Sequence, residues 1–240
     1  MARGYPDYAN PVYSLASRNV DFALVETGLI GVPSLDGLGR NVWWENWREG
    51  IYAWEPLPAG GVRLPYVHTN RAFIPPCSCR LPAQPGGIGG ASQIGKRGYF
   101  HNALALGLDW SVAYDFTDTY LNVFLWYDTP DTSYVGTLQF KLDTGIVYIN
   151  SGDLAPAIAT VDAPSDPGSW LRMKLVINVQ TGYYQRLLLG QVEYDLSSYP
   201  LRVLGVTDAG HYRVYLQARC DGGVAPTVDI GHVIYTIDEP

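Results

Sequence analysis

The chain has 240 residues, of which 47% are hydrophobic and 13% aromatic, enough apolar surface for a substantial core, while only 16% are charged against roughly 25% in an average globular chain. Its formal net charge is -7, and the 16 Lys and Arg are spread along the chain, which argues against the clustered basic surface that duplex binding requires; nucleic acid is not an expected partner. No apolar run reaches the roughly 18 residues needed to span a bilayer, and the N-terminus has no signal-peptide pattern, so membrane insertion is not expected and synthesis in the cytoplasm is.

Residues 1–40 carry Gly4, Pro6, Pro11, Gly28, Gly31, Pro33, Gly37 and Gly39 with apolar residues scattered between them, which reads as an extended arm rather than a regular element. Its aromatic residues Tyr5, Tyr8, Tyr13 and Phe22 are costly to leave in water as a group, so they are candidates for docking on another subunit. From Asn41 the texture changes. Val42, Trp43, Trp44, Glu45, Asn46 and Trp47 form a strand-like run ending at Gly50. Residues 55–98 hold seven prolines and a Gly86-Gly87-Ile88-Gly89-Gly90 stretch that reads as a loop, which allows short edge strands and no long helix.

The remainder alternates with a period of two. Trp110, Val112, Tyr114 and Phe116 share one strand face, with Ser111, Ala113 and Asp115 on the other. Residues 120–127 are apolar on nearly both faces, as a central strand covered from two sides would be. Asp143-Thr144-Gly145 turns the strand 134–140 into 146–149. Leu171, Met173, Leu175, Ile177 and Val179 point one way. Thr181-Gly182 and then Gly190 turn the chain into two further strands, and Tyr212 to Ala218 make another. In the last strand, 228–237, the apolar register slips around Gly231, which predicts a bulge. No segment shows a capped 3.6-residue period, and strands recur every 8 to 14 residues, as in an antiparallel sandwich.

Two stretches resemble the concanavalin A-like (lectin and glucanase) superfamily. One is the Trp-rich run 42–47 with Gly50 and Trp54. The other runs from Trp170 through the strand to Asn178, across Thr181-Gly182-Tyr183, to the hairpin 190–196. The resemblance covers residues 40–240 as a pattern of strands and implies an all-β, antiparallel β-sandwich of the concanavalin A-like jelly-roll type. The expected organisation is an arm over 1–40 and the sandwich over 41–240. Separately, Met1-Ala2-Arg3-Gly4-Tyr5-Pro6-Asp7-Tyr8 resembles the start of many tailed-phage and prophage structural proteins.

Chemistry-bearing patterns are sparse. Glycan hydrolases of this fold need carboxylates at alternate positions on one strand; the nearest approach, Glu193-Tyr194-Asp195, lacks a third acid and sits in a predicted surface hairpin. Gly90-Ala91-Ser92-Gln93-Ile94-Gly95-Lys96 matches the start of a phosphate-cradling loop, but Arg97 stands where Ser or Thr should bind magnesium and no helix follows. His68, His101, His211 and His232 are not metal-spaced, and Asp128-Thr129-Pro130-Asp131 reads as a turn. Cys77, Cys79 and Cys220 suit a reduced compartment better than a zinc site, and no Gly-x-Ser-x-Gly elbow is present.

The expectation is therefore a protein with no catalytic residues, metal or cofactor. It is read as a non-enzymatic component of a phage-like virion, capsid-decorating or tail-associated, homo-oligomeric and docking on other virion subunits through its arm. The alternative is a lectin-like carbohydrate-binding module. Trp110, Tyr114, Trp126, Tyr134 and Tyr212 are its candidates for stacking on pyranose rings, although a core needs such residues too.

Overall fold

The computed structural model describes residues 35–58, 64–73, 77–84, 87–99, 103–114, 119–149, 156–161, 169–205, 210–221 and 227–240. Among them run sixteen strands and no helix, in two antiparallel sheets. The first sheet contains β1 (Arg40–Glu45), β3 (Tyr66–His68), β4 (Ser78–Pro82), β6 (Ala105–Tyr114), β11 (Leu171–Asn178), β12 (Tyr183–Leu189), β13 (Val192–Asp195) and β16 (Thr227–Ile237). Its order is β13-β12-β11-β6-β16-β4-β3, with β1 also paired to β16. The second contains β2 (Glu55–Pro58), β5 (Gly87–Tyr99), β7 (Thr119–Asp128), β8 (Ser133–Lys141), β9 (Ile146–Ile149), β10 (Ala157–Thr160), β14 (Arg202–Leu204) and β15 (His211–Cys220). Its order is β10-β9-β8-β7-β15-β5-β2, with β14 also paired to β8.

The alternation seen along the chain decides which face is buried. Leu106, Leu108 and Trp110 of β6, Met173, Leu175 and Ile177 of β11, and Val233, Tyr235 and Ile237 of β16 belong to one core cluster with Leu121, Val123 and Leu125 of β7 and Val214 and Leu216 of β15. Each fully buried aliphatic side chain of this kind contributes roughly 1.5–3 kcal/mol of transfer free energy. The expected hairpins are present. Gly145 and Gly182, at φ 70° and 75°, supply the left-handed backbone of the β8–β9 and β11–β12 turns. The register of β16 against β6 shifts between Ile230 and His232, so the bulge expected at Gly231 is there.

Two expectations are corrected. The glycine stretch 86–90 does not form a loop: from Gly87 it belongs to β5, a 13-residue strand. Its later glycines explain part of that, since a Cβ on Gly95 would lie 2.6 Å from the ring of Tyr215 and one on Gly98 would collide with Tyr212. β7 is central, between β8 and β15, but it is not covered on both faces. Tyr120, Phe124 and Trp126, on the face away from the core, are only half-buried.

The Trp-rich opening makes a corner. Glu45 accepts hydrogen bonds from the amides of Asn46 and Trp47 and, at 3.1 Å, from Trp54 Nε1. That clamp holds Trp47 at a positive φ of 65°, and Trp43, Trp47 and Trp54 pack together below it.

Candidate functional site

The outward positions of the second sheet line up across strands. On β7 these are Tyr120, Asn122, Phe124, Trp126 and Asp128. Asn122 is level with Gln217 of β15 and Gln139 of β8, Phe124 with Tyr215 and Thr137, and Trp126 with Arg213 and Val135. The strand-period rule that buries Leu121, Val123 and Leu125 turns these residues to the opposite face.

The amide row is a hydrogen-bonded ladder. Gln139 Nε2 donates to Asn122 Oδ1 (3.0 Å), Asn122 Nδ2 to Gln217 Oε1 (2.9 Å), and Gln217 Nε2 to Gln93 Oε1 (3.0 Å). A primary amide has two donor hydrogens and two acceptor lone pairs, so each member keeps hydrogen-bonding capacity beyond the ladder while the ladder fixes its orientation. Beside it, the Arg213 guanidinium lies over the Trp126 ring at 4.5 Å, and Arg213 Nη2 donates to Asp128 Oδ2 at 2.6 Å. Ser133 also donates to the buried Asp128. Arg97 Nη2 donates to His211 Nε2 at 3.1 Å, and the His211 ring sits 4.2 Å from Tyr99.

Among the expected stacking residues, Trp126 stands half-buried on this face. Trp110 and Tyr212 are core residues at 0% and 1% exposure, where no pyranose reaches them; the inward alternation of β6 and β15 puts them there. Tyr134 packs against the core at the end of β8. The side chain of Tyr114 lies outside the described residues, as do the docking-arm candidates Tyr5, Tyr8, Tyr13 and Phe22. Sequence reasoning missed the four amides. The one signal for them was a polar Asn122 interrupting an otherwise apolar run, with Gln139 and Gln217 at outward positions of their own strands.

The outer face of the first sheet is different: it is charged and closed. Lys174, fully buried, is bonded to Asp36 (2.5 Å) and Glu239 (2.8 Å), and Arg186 reaches the same two carboxylates. Burial pushes the Asp36 pKa up, but the Lys174 hydrogen bond, the Leu38 amide and the charges of Lys174 and Arg186 bring it below the usual carboxylate range. For Glu239, burial outweighs Lys174 and the pKa is raised. The Leu35 amide donates to Asp109 (2.6 Å) and Lys174 to the Leu38 carbonyl (3.0 Å), so residues 35–38, within the stretch read as arm, are held on the sandwich.

The same face assembles Ser, His and Asp. His232 Nδ1 is 2.8 Å from Ser111 Oγ, and Nε2 is 3.1 Å from Asp109 Oδ1. All three are fully buried, Phe73 lies 5.0 Å from the His232 ring, and Arg172 binds both oxygens of Asp109. Desolvation lowers the His232 pKa despite Asp109, which keeps the imidazole neutral. With no accessible oxygen on Ser111, the trio in this arrangement ties β6 to β16 across the bulge. A parallel cluster, Asp229 with Arg80 (2.7 Å) and His68 (2.9 Å), ties β16 to β4 and β3.

The remaining sequence candidates fall into ordinary places. Glu193 and Asp195 are exposed on β13, the edge of the first sheet, and Asp195 accepts from the Ser197 amide. Lys96, from the phosphate-loop match, lies on a strand and points inward, 4.4 Å above the Trp43 ring. Asp128 to Thr132 is a turn closed by the Thr129 amide bonding to the Thr132 carbonyl. The three cysteines are free thiols, and no metal-ligating group is found among the described residues.

No protein-family model matches the chain, and no curated protein matches it by sequence. Solved structures match its fold. The catalytic domain of an endo-1,3-β-glucanase (laminarinase) from Thermotoga petrophila superposes with a TM-score of 0.52 at 10% identity, over 84% of this chain and 98% of that one. The endo-β-1,3-glucanase of Pyrococcus furiosus gives 0.54 at 9% identity, over 86% and 98%. A carbohydrate esterase of the Shiga toxin-encoding bacteriophage phi24B gives 0.51 at 10% identity, over 78% and 91%. The fold is thus that of the concanavalin A-like glucanases, as the strand pattern implied.

The expectation that the chain is not an enzyme is corrected by the same finding. It rested on the lack of a recognisable catalytic motif, whereas the architecture is one that glucanase catalytic domains share, so the fold supplies no ground for excluding catalysis. On the outer face of the second sheet, the strands β7 and β2 contribute the carboxylates Asp128 and Glu55. They stand three strand spacings apart across the sheet, about 14 Å at 4.8 Å each, and four residues apart along the strands, about 13 Å at 3.3 Å each, so this pair is wider than the roughly 5–9.5 Å of a glycosidase acid pair.

Proposed function

We propose that this protein acts on carbohydrate and holds a glycan chain on the outer face of its second sheet. The observation that carries this reading is the amide ladder Gln93, Gln217, Asn122, Gln139 lying beside the half-buried rings of Tyr215, Phe124 and Trp126. Pyranose rings present C–H faces that pack on aromatic rings and an equatorial rim of hydroxyls that both donate and accept. Oriented amides that do the same are their natural complement. The occurrence of this fold in glucanases and a phage carbohydrate esterase supports the same class of ligand.

The test is calorimetric titration of the full chain with a panel of neutral and anionic polysaccharides, repeated with Trp126→Ala and Gln217→Ala. Binding that both substitutions weaken supports the reading; no binding to any polymer, or binding indifferent to both, overturns it. Reducing ends measured in the same samples show whether a bound glycan is also cleaved.

A further inference from the structure

We infer that the glycan held on this face carries acetamido groups, one of which docks at the β8 end of the amide ladder, against Gln139 and Tyr148; this rests on the glycan-binding reading and specifies its ligand. The ladder has a direction. Its three hydrogen bonds all donate toward β5, from Gln139 Nε2 to Asn122, from Asn122 Nδ2 to Gln217 and from Gln217 Nε2 to Gln93. The two ends are therefore chemically different. Among the described residues nothing donates to Gln139 Oε1 and nothing accepts from Gln93 Nε2, and both side chains are partly exposed. The face thus offers an acceptor on β8 and a donor on β5, three strand spacings or about 14 Å apart.

An amide whose N–H already donates is polarised by that bond, and its carbonyl oxygen becomes a stronger acceptor. The group that continues such a chain in kind is another amide N–H. The acceptor end is also where an apolar group can be seated. Tyr148 of β9 is the cross-strand partner of Gln139, and Ala157 of β10 is the partner of Tyr148, so the three share the outer face. Tyr148 is half-buried between the inward-pointing Val147 and Ile149, and Ala157 is exposed. An acetamido group meets both features at once: its N–H donates to Gln139 Oε1 and its methyl lies on the Tyr148 ring. A hydroxyl makes the first contact and leaves the second unmade. The cations that follow ladder residues by two positions are paired, Lys141 of β8 with Asp143 (3.4 Å) and Arg219 of β15 with Asp221 (2.8 Å). Recognition at the ladder therefore runs through hydrogen bonds and ring contact rather than charge.

The experiment titrates the full chain with chitopentaose and with cellopentaose, which share ring and linkage and differ by an acetamido group in place of the C2 hydroxyl. Each titration is repeated with Tyr148→Ala and with Gln139→Met, and circular dichroism melting checks that both variants fold. The expected result is tighter binding of chitopentaose by the native chain, by about tenfold, equivalent to about 1.4 kcal/mol. Each substitution should bring the ratio of the two affinities toward one, and Tyr148→Ala should do so with cellopentaose binding unchanged. Equal affinity for the two sugars, or tighter binding of cellopentaose, overturns this inference and keeps the glycan reading. A preference for chitopentaose that survives both substitutions also overturns it, since the acetamido group then docks elsewhere. Failure to bind either pentaose overturns it as well, and the glycan reading falls with it when the polysaccharide panel is also unbound.

Discussion

The guanidinium of Arg213 lies 4.5 Å over the ring of Trp126, its cross-strand neighbour between β15 and β7. The contact joins β15 to the aromatic part of the outer face. It also holds the indole in one orientation, since Arg213 is itself anchored by Asp128 at 2.6 Å.

Trp126→Ala removes the stacking surface without opening the core, because the ring is on the outer face. Glycan affinity is expected to fall about tenfold, in line with the ~1–1.5 kcal/mol of an aromatic stack. The melting temperature should shift little. Titration and calorimetric melting together check this.

Gly95→Ala tests the closeness of β5 and β15. A Cβ there would sit 2.6 Å from two ring atoms of Tyr215, so the ring must swing off the face. An overpacking cost of about 1–3 kcal/mol is expected in urea unfolding, together with weaker glycan binding. Unchanged stability would show that Tyr215 is free to move.

Lys174→Met leaves Asp36 and Glu239 with Arg186 as their shared cation. Removing one partner from a buried ion network costs about 3–5 kcal/mol, and a loss of that order in the urea midpoint is the expected outcome. Asp36→Asn should cost less, because Glu239 still faces Lys174 at 2.8 Å.

The His232 pKa is lowered in the folded chain, first by burial and then by the charge of Arg172, with Asp109 opposing. An unfolded histidine titrates near 6.5 and therefore binds a proton more readily than the folded one. Stability contributed by the neutral ring is complete above about pH 6.5 and is lost as pH falls below that value toward the folded pKa. Urea midpoints from pH 7.5 to 5 should decline, and His232→Gln should flatten the decline. An equal slope in the variant would remove His232 as its source.

The strands and their turns were legible in the sequence because they are local. The alternation of Met173, Leu175 and Ile177, the glycines at 145 and 182, and the register slip at Gly231 each specify backbone within a few residues. Where local pattern misled, a distant partner was responsible. The glycines of β5 resemble a loop until Tyr212 and Tyr215, more than a hundred positions away, are packed against them.

By itself the sequence determined an all-β sandwich, its strand order along the chain and the alternation that divides each strand into two faces. Only the tertiary structure decided which of those faces meets water. Trp110 and Trp126 occupy equivalent positions in alternating strands, yet one is sealed between the sheets and the other stands on an outer face, because inward and outward are defined by the opposing sheet. The ladder joins Gln93, Gln217, Asn122 and Gln139 across sequence separations of 124, 95 and 17. Such a row exists only after strands remote in sequence have paired, since strand pairing is non-local and its register is set by the burial of whole faces.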